Sequence, residues 1–329
     1  MKKLINATEH VLAESLAGFA AAHADIVSLG FEDKFVRRRE LTSSKVALIS
    51  GGGSGHEPLH AGFVGRGMLD AACPGQVFTS PTPDQMVAAV EAVETGKGCL
   101  FIVKNYEGDV MNFQMAADLA GKETATVLTD DDVAVEASTW STGRRGVAGT
   151  LIVEKIVGAA AEQGAPLAEL KALGDQVNRR TRSMGVALTS CTVPAAGKPT
   201  FSLGEDEMEM GVGIHGEPGR RRVKLSTADA IADEMVGAIV GDLAPARGAD
   251  ALLLVNGFGG TPTMELYLMV NSALRVLRGK GVRVSRFLTG SYVTSLEMAG
   301  CSITVSLLDD GLRNLWDAPV HTAALRWGI

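Results

Sequence analysis

The chain has 329 residues, a formal net charge of −7 at neutral pH and 46% apolar residues. That length suits about two domains of roughly 150 residues, and the acidic balance excludes a nonspecific nucleic-acid binder, which needs clustered Lys and Arg. No apolar run reaches the roughly 20 residues that cross a bilayer, so neither nucleic acid nor membrane is expected as a partner.

Met1-Lys2-Lys3-Leu4-Ile5-Asn6 opens like a secretory leader, but Glu9, His10 and Glu14 interrupt any hydrophobic region. The start therefore reads as an amphipathic first helix of a cytoplasmic protein. Cys73, Cys99, Cys191 and Cys301 form no C-x-x-C pair, which argues against a zinc site or a dense disulfide frame. No metal site is expected.

Along the chain, apolar and β-branched runs predict strands at Lys45–Ser50, Leu100–Lys104, Thr124–Thr129, Ser183–Thr189, Ala251–Val255, Val282–Leu288 and Ser302–Leu308. Most lack polar alternation, as strands covered on both faces do. Helices are predicted over Pro81–Thr95, Gly149–Gln163, Pro166–Val177 and Thr227–Val240. Another is opened by Thr261-Pro262 and closed by Gly279. The alternation predicts an α/β protein of two domains, with mainly parallel or mixed sheets flanked by helices. Residues 1–182 form the first domain and 183–329 the second. Thr192–Arg222 is Pro-, Gly- and acid-rich without periodicity, and so long an irregular piece is usually functional or mobile.

Three segments carry chemistry. Ser50-Gly51-Gly52-Gly53-Ser54-Gly55-His56-Glu57-Pro58 follows a buried-type strand, where ligands of open α/β sheets bind. Its glycines allow close backbone approach, and their N–H groups can form a nest for an anion or hydroxyl. It is not a P-loop: Lys122, Lys198 and Lys280 each follow a Gly, but none has Ser or Thr at the required spacing. Lys104-Asn105-Tyr106-Glu107-Gly108-Asp109 also sits at a strand's carboxyl end. Alone it would read as a solvated loop; beside the first segment it places His56, Lys104 and Asp109 together.

The third segment, Met210-Gly211-Val212-Gly213-Ile214-His215-Gly216-Glu217-Pro218-Gly219, formally matches G-x-G-x-x-G. A dinucleotide site is not expected, because Glu205–Glu209 is acidic rather than a buried strand and Glu217-Pro218-Gly219 cannot begin a helix. His215 among glycines is instead a candidate nucleophile or acid–base group. Asp130-Asp131-Asp132 reads as a solvated junction rather than a magnesium site, since consecutive side chains diverge. Arg144-Arg145 and Arg220–Arg222 read as surface charge, and Trp316 and Trp327 as packing residues.

Together with Thr79-Ser80-Pro81-Thr82-Pro83-Asp84, Asp130–Val135, Gly143-Arg144-Arg145-Gly146-Val147-Ala148, Cys191–Pro199 and Leu315-Trp316-Asp317-Ala318-Pro319-Val320-His321-Thr322, these segments resemble, in order and over essentially the whole chain, the dihydroxyacetone-binding K subunit of dihydroxyacetone kinase. The resemblance implies that His215 adds to the C2 carbonyl of the ketone as a hemiaminal, a bond that glycerol cannot form. His56 and Asp109 would be general acid and base, their division left open. Gly53, Ser54, Gly55, His56, Lys104 and Asp109 would bind the substrate hydroxyls.

The family's L portion, all-helical with a D-x-D-x-G-D-type magnesium motif, has no counterpart here. The resemblance therefore implies a separate L partner carrying Mg-ADP or Mg-ATP, no cofactor on this chain, and a homodimer. It also favours members charged from phosphoenolpyruvate through a phosphocarrier of the sugar phosphotransferase system. An ATP-dependent two-subunit kinase, a four-carbon ketose substrate and a non-catalytic dihydroxyacetone-sensing coactivator are the alternatives. Gly219–Ala249 is short compared with some relatives, and the wording of Val255–Pro262 varies among members.

Overall fold

The computed structural model describes all residues except 1, 31, 33, 136–140, 142 and 218. Its first sheet uses β1 (Val27–Leu29), β2 (Val36–Arg38), β3 (Ala47–Ser54), β5 (Ala71–Val77), β6 (Cys99–Lys104) and β7 (Thr124–Thr129), in the order β1-β2-β5-β3-β6-β7. The two-residue β4 (Gly65–Arg66) stands apart from it. β5, β3, β6 and β7 run parallel, and β1 and β2 close the edge antiparallel. The second sheet takes β8 (Thr181–Ala187), β9 (Glu207–Met210), β10 (Arg221–Lys224), β11 (Asp250–Gly257), β12 (Arg283–Gly290) and β13 (Gly300–Leu308), in the order β10-β9-β8-β13-β11-β12.

Only β11 and β12 are parallel there; the other pairs are antiparallel. The expectation of mainly parallel or mixed sheets is thus met, the first sheet being mainly parallel and the second mixed. Its cause is visible in chain order: no helix separates β12 from β13, so β13 returns beside β11 instead of crossing over. β12 lies at the sheet edge and is half-exposed along its length, against the expected cover on both faces.

Helices α1 (Val11–Ala22), α2 (Pro83–Val93), α3 (Glu107–Leu119), α4 (Gly149–Glu162), α5 (Leu167–Arg179), α6 (Ala228–Leu243), α7 (Thr263–Gly279) and α8 (Asp310–Asp317) cover the sheets. The connection between sheets carries α4 and α5, and residue 182 lies inside β8. α4 is buried on every side over Gly149–Ala161 and touches strands of both sheets. A continuous apolar core follows it, joining Leu48 and Leu100 to Leu252, Leu254 and Leu308. The chain then returns through β14 (Val320–Thr322) and β15 (Arg326–Trp327), with β14 pairing to β15 on one side and to β4 on the other. Trp316 and Trp327 pack against one another at 5.5 Å.

The sequence missed the short strands β1, β2, β4, β9, β10, β14 and β15, the seven-residue β5 inside the first sheet, and the helices α3 and α8. Glu205–Glu209, expected to be no strand, contributes most of β9, with Met208, Glu209 and Met210 buried. The acidic positions obscured a strand that pairs with both β8 and β10. After the G-x-G-x-x-G match the chain enters β10 and not a helix, so the phosphate-binding helix terminus of a dinucleotide site is lacking there.

Candidate active site

β3 pairs with β6 only as far as Ser50 and Ile102 but continues beside β5 to Ser54 and Val77. The glycine segment, expected as a loop, is therefore largely strand. Past Ser50 the two parallel strands part, and Lys104 at the end of β6 turns its ammonium toward β3, donating to Gly51 O at 3.2 Å. A Cβ at Gly52 would collide with that ammonium. Gly55 has φ +103, and a Cβ there would lie 2.7 Å from the Phe78 ring, so conformation and space both demand glycine.

β6 runs through Asn105 and Tyr106 straight into α3. Asp109 falls in the first turn of that helix, where a carboxylate is favoured by the free N–H groups. Its Oδ2 lies 3.7 Å from Lys104 Nζ, with both side chains buried. Asp109 Oδ1 has no hydrogen-bond partner among the described residues. Burial pulls the Lys104 ammonium below its ordinary pKa, opposed by Asp109 and Glu154.

His56 donates from Nδ1 to Thr294 O at 2.8 Å and stacks on Phe78 with ring centroids 5.0 Å apart. Burial, then His215 and Lys104, push its pKa well below the usual histidine value. The imidazole is thus neutral with its proton on Nδ1, and Nε2 carries a lone pair that has no partner among the described residues.

From the second sheet, the turn between β9 and β10 delivers His215. Glu217 Oε2 accepts from the His215 backbone N–H and Oε1 from Nδ1, each at 2.9 Å. Burial alone would favour the Glu217 acid form, but His215 and Arg145 hold its carboxyl down at about 2. A carboxylate on Nδ1 fixes the tautomer and leaves Nε2 electron-rich. The His215 side chain is 20% exposed while Glu217 is buried. Three rings meet it edge-on: Tyr106 at 4.6 Å, His56 at 4.7 Å and Phe78 at 5.2 Å.

The predicted residues do not all face one space. Gly53, Asp109 and His215 line a cleft of about 850 Å³ together with Phe78, Tyr106 and Met111. Lys104 lies buried beside Asp109, and His56 behind His215. Ser54 donates its hydroxyl to Gly75 O at 2.7 Å and lines a separate cavity with Leu12, Leu16 and Phe19. The Gly55 N–H donates to the Glu57 carboxylate at 3.0 Å. Pro218 of the His215 motif lies outside the described residues.

Two readings of charged runs are corrected. Asp131 and Asp132 are buried rather than solvated. Asp131 accepts from the N–H groups of Val147 and Gly149 at the start of α4 and from the Ser183 hydroxyl. Asp132 pairs with Arg145 at 2.6 Å. Arg145, expected at the surface, is fully buried and donates to Gly211 O at the root of the His215 turn. Arg144 behaves as expected, pairing with Asp242 near the surface, and Arg220, Arg221 and Arg222 are exposed as expected. Sequence reasoning missed Glu217, Tyr106, Phe78 and Arg145 as parts of the site. Only Glu217, two residues past a histidine flanked by glycines, carried a local signal.

The arrangement offers an imidazole nitrogen to an electrophilic carbon, a carboxylate to stabilise the resulting imidazolium, and two acceptors without a partner among the described residues, His56 Nε2 and Asp109 Oδ1. It suits addition to a small polar carbonyl compound followed by removal of a hydroxyl proton.

Comparison with known proteins gives consistent relatives. Residues 17–324 match the family model described as the Dak1 domain. A PTS-dependent dihydroxyacetone kinase 1, dihydroxyacetone-binding subunit from Listeria innocua, is 51% identical over 94% of this chain and 95% of its own length. The PEP-dependent counterpart from Escherichia coli is 46% identical over the whole of both chains. Among solved structures, the dihydroxyacetone kinase of C. freundii superposes with a TM-score of 0.91 at 32% identity, over 99% of this chain and 60% of its own. A dihydroxyacetone kinase operon co-activator superposes with a TM-score of 0.89 at 34% identity, over 94% of this chain and 97% of its own.

Proposed function

This chain belongs to the Dak1 family of dihydroxyacetone kinases and is a phosphotransferase component, and on that premise we propose that it is the dihydroxyacetone-binding K subunit of a kinase charged from phosphoenolpyruvate. The observation that carries the reading is the His215–Glu217 pair at the cleft, an imidazole nucleophile held by a buried carboxylate.

His215 Nε2 attacks the C2 carbonyl carbon of dihydroxyacetone. The N–C bond forms, the carbonyl π pair moves to oxygen, and that oxygen takes up a proton. The imidazolium charge that develops is met by Glu217 on Nδ1. A polyol has no such carbon, so selection rests on bond formation and not on a contact worth only about 1–3 kcal/mol. The held ketone's hydroxyl then attacks phosphorus on the partner-borne nucleotide, and its proton passes to Asp109 or His56. Dihydroxyacetone phosphate leaves when the N–C bond reverses.

The phosphoryl donor is delivered by a separate L subunit that holds Mg-ADP and is recharged through the phosphocarrier. The Listeria and Escherichia relatives named as binding subunits match this chain over 95–100% of their own length, which supports such a division of labour. Exposed Met111, Met115 and Leu119 on α3 continue outward from the cleft and suit that docking. Exposed Met264, Tyr267 and Leu268 of α7 with Phe287 of edge strand β12 suit a homodimer contact. Among the described residues no helix is long and apolar enough to cross a membrane.

A second reading, a coactivator that senses dihydroxyacetone without phosphorylating it, is favoured by the likeness to the operon co-activator. A sensor needs the tether but not unpartnered acceptors at His56 and Asp109, so the enzyme reading stands first. The test mixes the purified chain with desalted, nucleotide-depleted extract of its source and follows dihydroxyacetone phosphate. Product from phosphoenolpyruvate without added nucleotide is expected. Product only with MgATP would make it an ATP-dependent kinase, and chain-independent traces alone would return the sensor.

A further inference from the structure

Beneath the cleft lies a buried group of side chains that the mechanism above leaves unused. Glu154, in the middle of α4, and His60 are both buried, and Glu154 Oε1 lies 2.6 Å from His60 Nδ1. On the far side of the ring, His60 Nε2 lies 2.8 Å from Lys104 Nζ. Ser50 Oγ completes the contact, 2.9 Å from His60 Nδ1 and donating to Ile102 O at 2.6 Å.

The donors and acceptors determine the tautomer. An ammonium has only protons to offer, so His60 Nε2 must accept from Lys104. When the Ser50 hydroxyl gives its proton to Ile102 O, its contact with His60 Nδ1 also calls for the proton on Nδ1. Glu154 Oε1 then receives that proton's hydrogen bond as a carboxylate, the form it takes above an ionisation that burial raises to about 8. Its Oε2 has no partner among the described residues that would hold a proton instead.

We propose that Glu154 is a positioning residue for Lys104, acting through His60. Its carboxylate keeps the imidazole proton on Nδ1, so that Nε2 holds the ammonium between Gly51 O and Asp109, even when Asp109 is neutralised by the substrate's proton. The inference rests on the proposed function only for the role of Asp109.

The charged and titratable groups around the pair are Lys104 from β6, Asp109 from α3 and His56 ahead of His60; Ser50 faces it from β3. Burial raises the Glu154 carboxyl to about 8, with Lys104 and Ser50 opposing. Burial, Lys104 and His56 hold His60 well below its ordinary value, so it stays neutral. As pH falls through the Glu154 ionisation, the acid donates to His60 Nδ1 and the ring proton moves to Nε2. Two donors then face each other across the Lys104 contact, and the ammonium is released.

The test has two arms on the full chain. Nitrogen-15 NMR of histidine-labelled protein, without substrate or partner, follows the His60 tautomer from pH 6 to 9.5. The Nδ1–H form should dominate at high pH and give way to Nε2–H as Glu154 gains its proton. Glu154→Gln keeps an acceptor but cannot titrate, so this change should vanish. In the second arm, the rate of product formation with the partner extract should rise several-fold through the same ionisation in the wild type and be flat in Glu154→Gln. Glu154→Leu, which removes the acceptor, should be slow throughout while still forming the His215 adduct. A His60 tautomer indifferent to pH, or a Glu154→Gln profile matching the wild type, would overturn the proposal. The NMR arm needs no turnover, so its result stands apart from whether the kinase reading holds.

Discussion

His215 at the cleft and His56 behind it, their ring centroids 4.7 Å apart, are built on opposite terms. His56 follows a strand paired along β5; it is fully buried, and both burial and its neighbours keep it neutral. His215 rides on a turn between two short strands, stays 20% exposed, and owes its orientation to one buried carboxylate. A nucleophile must be reachable and electron-rich, so exposure and an anionic partner suit it. A proton acceptor must hold its place and protonation state, so burial and a backbone anchor suit it. The comparison teaches that the first sheet supplies rigidity and the second supplies reach.

The most severe way to break the reach is His215→Ala. Under the proposed mechanism, adduct formation with dihydroxyacetone, read by intact mass after borohydride-free native spray, should disappear and turnover should fall below detection. Retained adduct would place the nucleophile elsewhere. On the rigid side, Asp109→Asn should leave the adduct intact and slow transfer by on the order of 10²–10⁴-fold, the usual worth of a general base. Equal slowing by His56→Asn in single-turnover transfer would assign the proton to His56 instead.

Glu217→Gln sharpens the comparison between these extremes. The His215 tautomer loses its anionic partner, and the adduct should form on the order of 10²-fold more slowly. The same variant has a pH signature. The Glu217 carboxyl sits at about 2 against an ordinary 4.5, so its ionisation stabilises the fold above pH 4.5 and that contribution fades as pH falls toward 2. Acid denaturation of Glu217→Gln should therefore lose part of its slope in that window, measured by circular dichroism.

Adjacent arginines give the smallest and cleanest contrast. Arg145→Leu would leave Asp132 a buried anion without its ion-pair partner, a loss of about 3–5 kcal/mol. Arg144→Ala removes only a partly exposed pair with Asp242, worth about 0–1 kcal/mol. Urea unfolding of the two variants should differ accordingly; equal losses would contradict the burial seen for Arg145.

Why these two neighbours looked alike in sequence is instructive. Nothing local distinguishes Arg144 from Arg145; their fates differ because Asp132 and Gly211, 13 and 66 residues away, converge on one of them. Asp131 and Asp132 were misjudged for the same reason, since the Asp131 partners Val147, Gly149 and Ser183 come from the start of α4 and from β8, and Asp132 finds Arg145, 13 residues on. Glu207–Met210 was missed because strand formation there depends on β8 and β10 and not on its acidic composition.

Alternating apolar runs and helical periods were enough to determine the α/β class, the main strands β3, β6, β7, β8, β11, β12 and β13, and the longer helices α4 to α7, because local propensity and burial agree there. The glycine, Lys104–Asp109 and His215 segments were likewise legible, because glycines beside histidine, lysine and carboxylates at strand ends are written in residue type. Tertiary structure alone decided that β13 would return antiparallel, that Ser54 would turn from the cleft while Phe78 and Tyr106 entered it, and that Glu217 would hold His215. Those outcomes depend on contacts between residues far apart in the chain, whose energies no window of sequence contains.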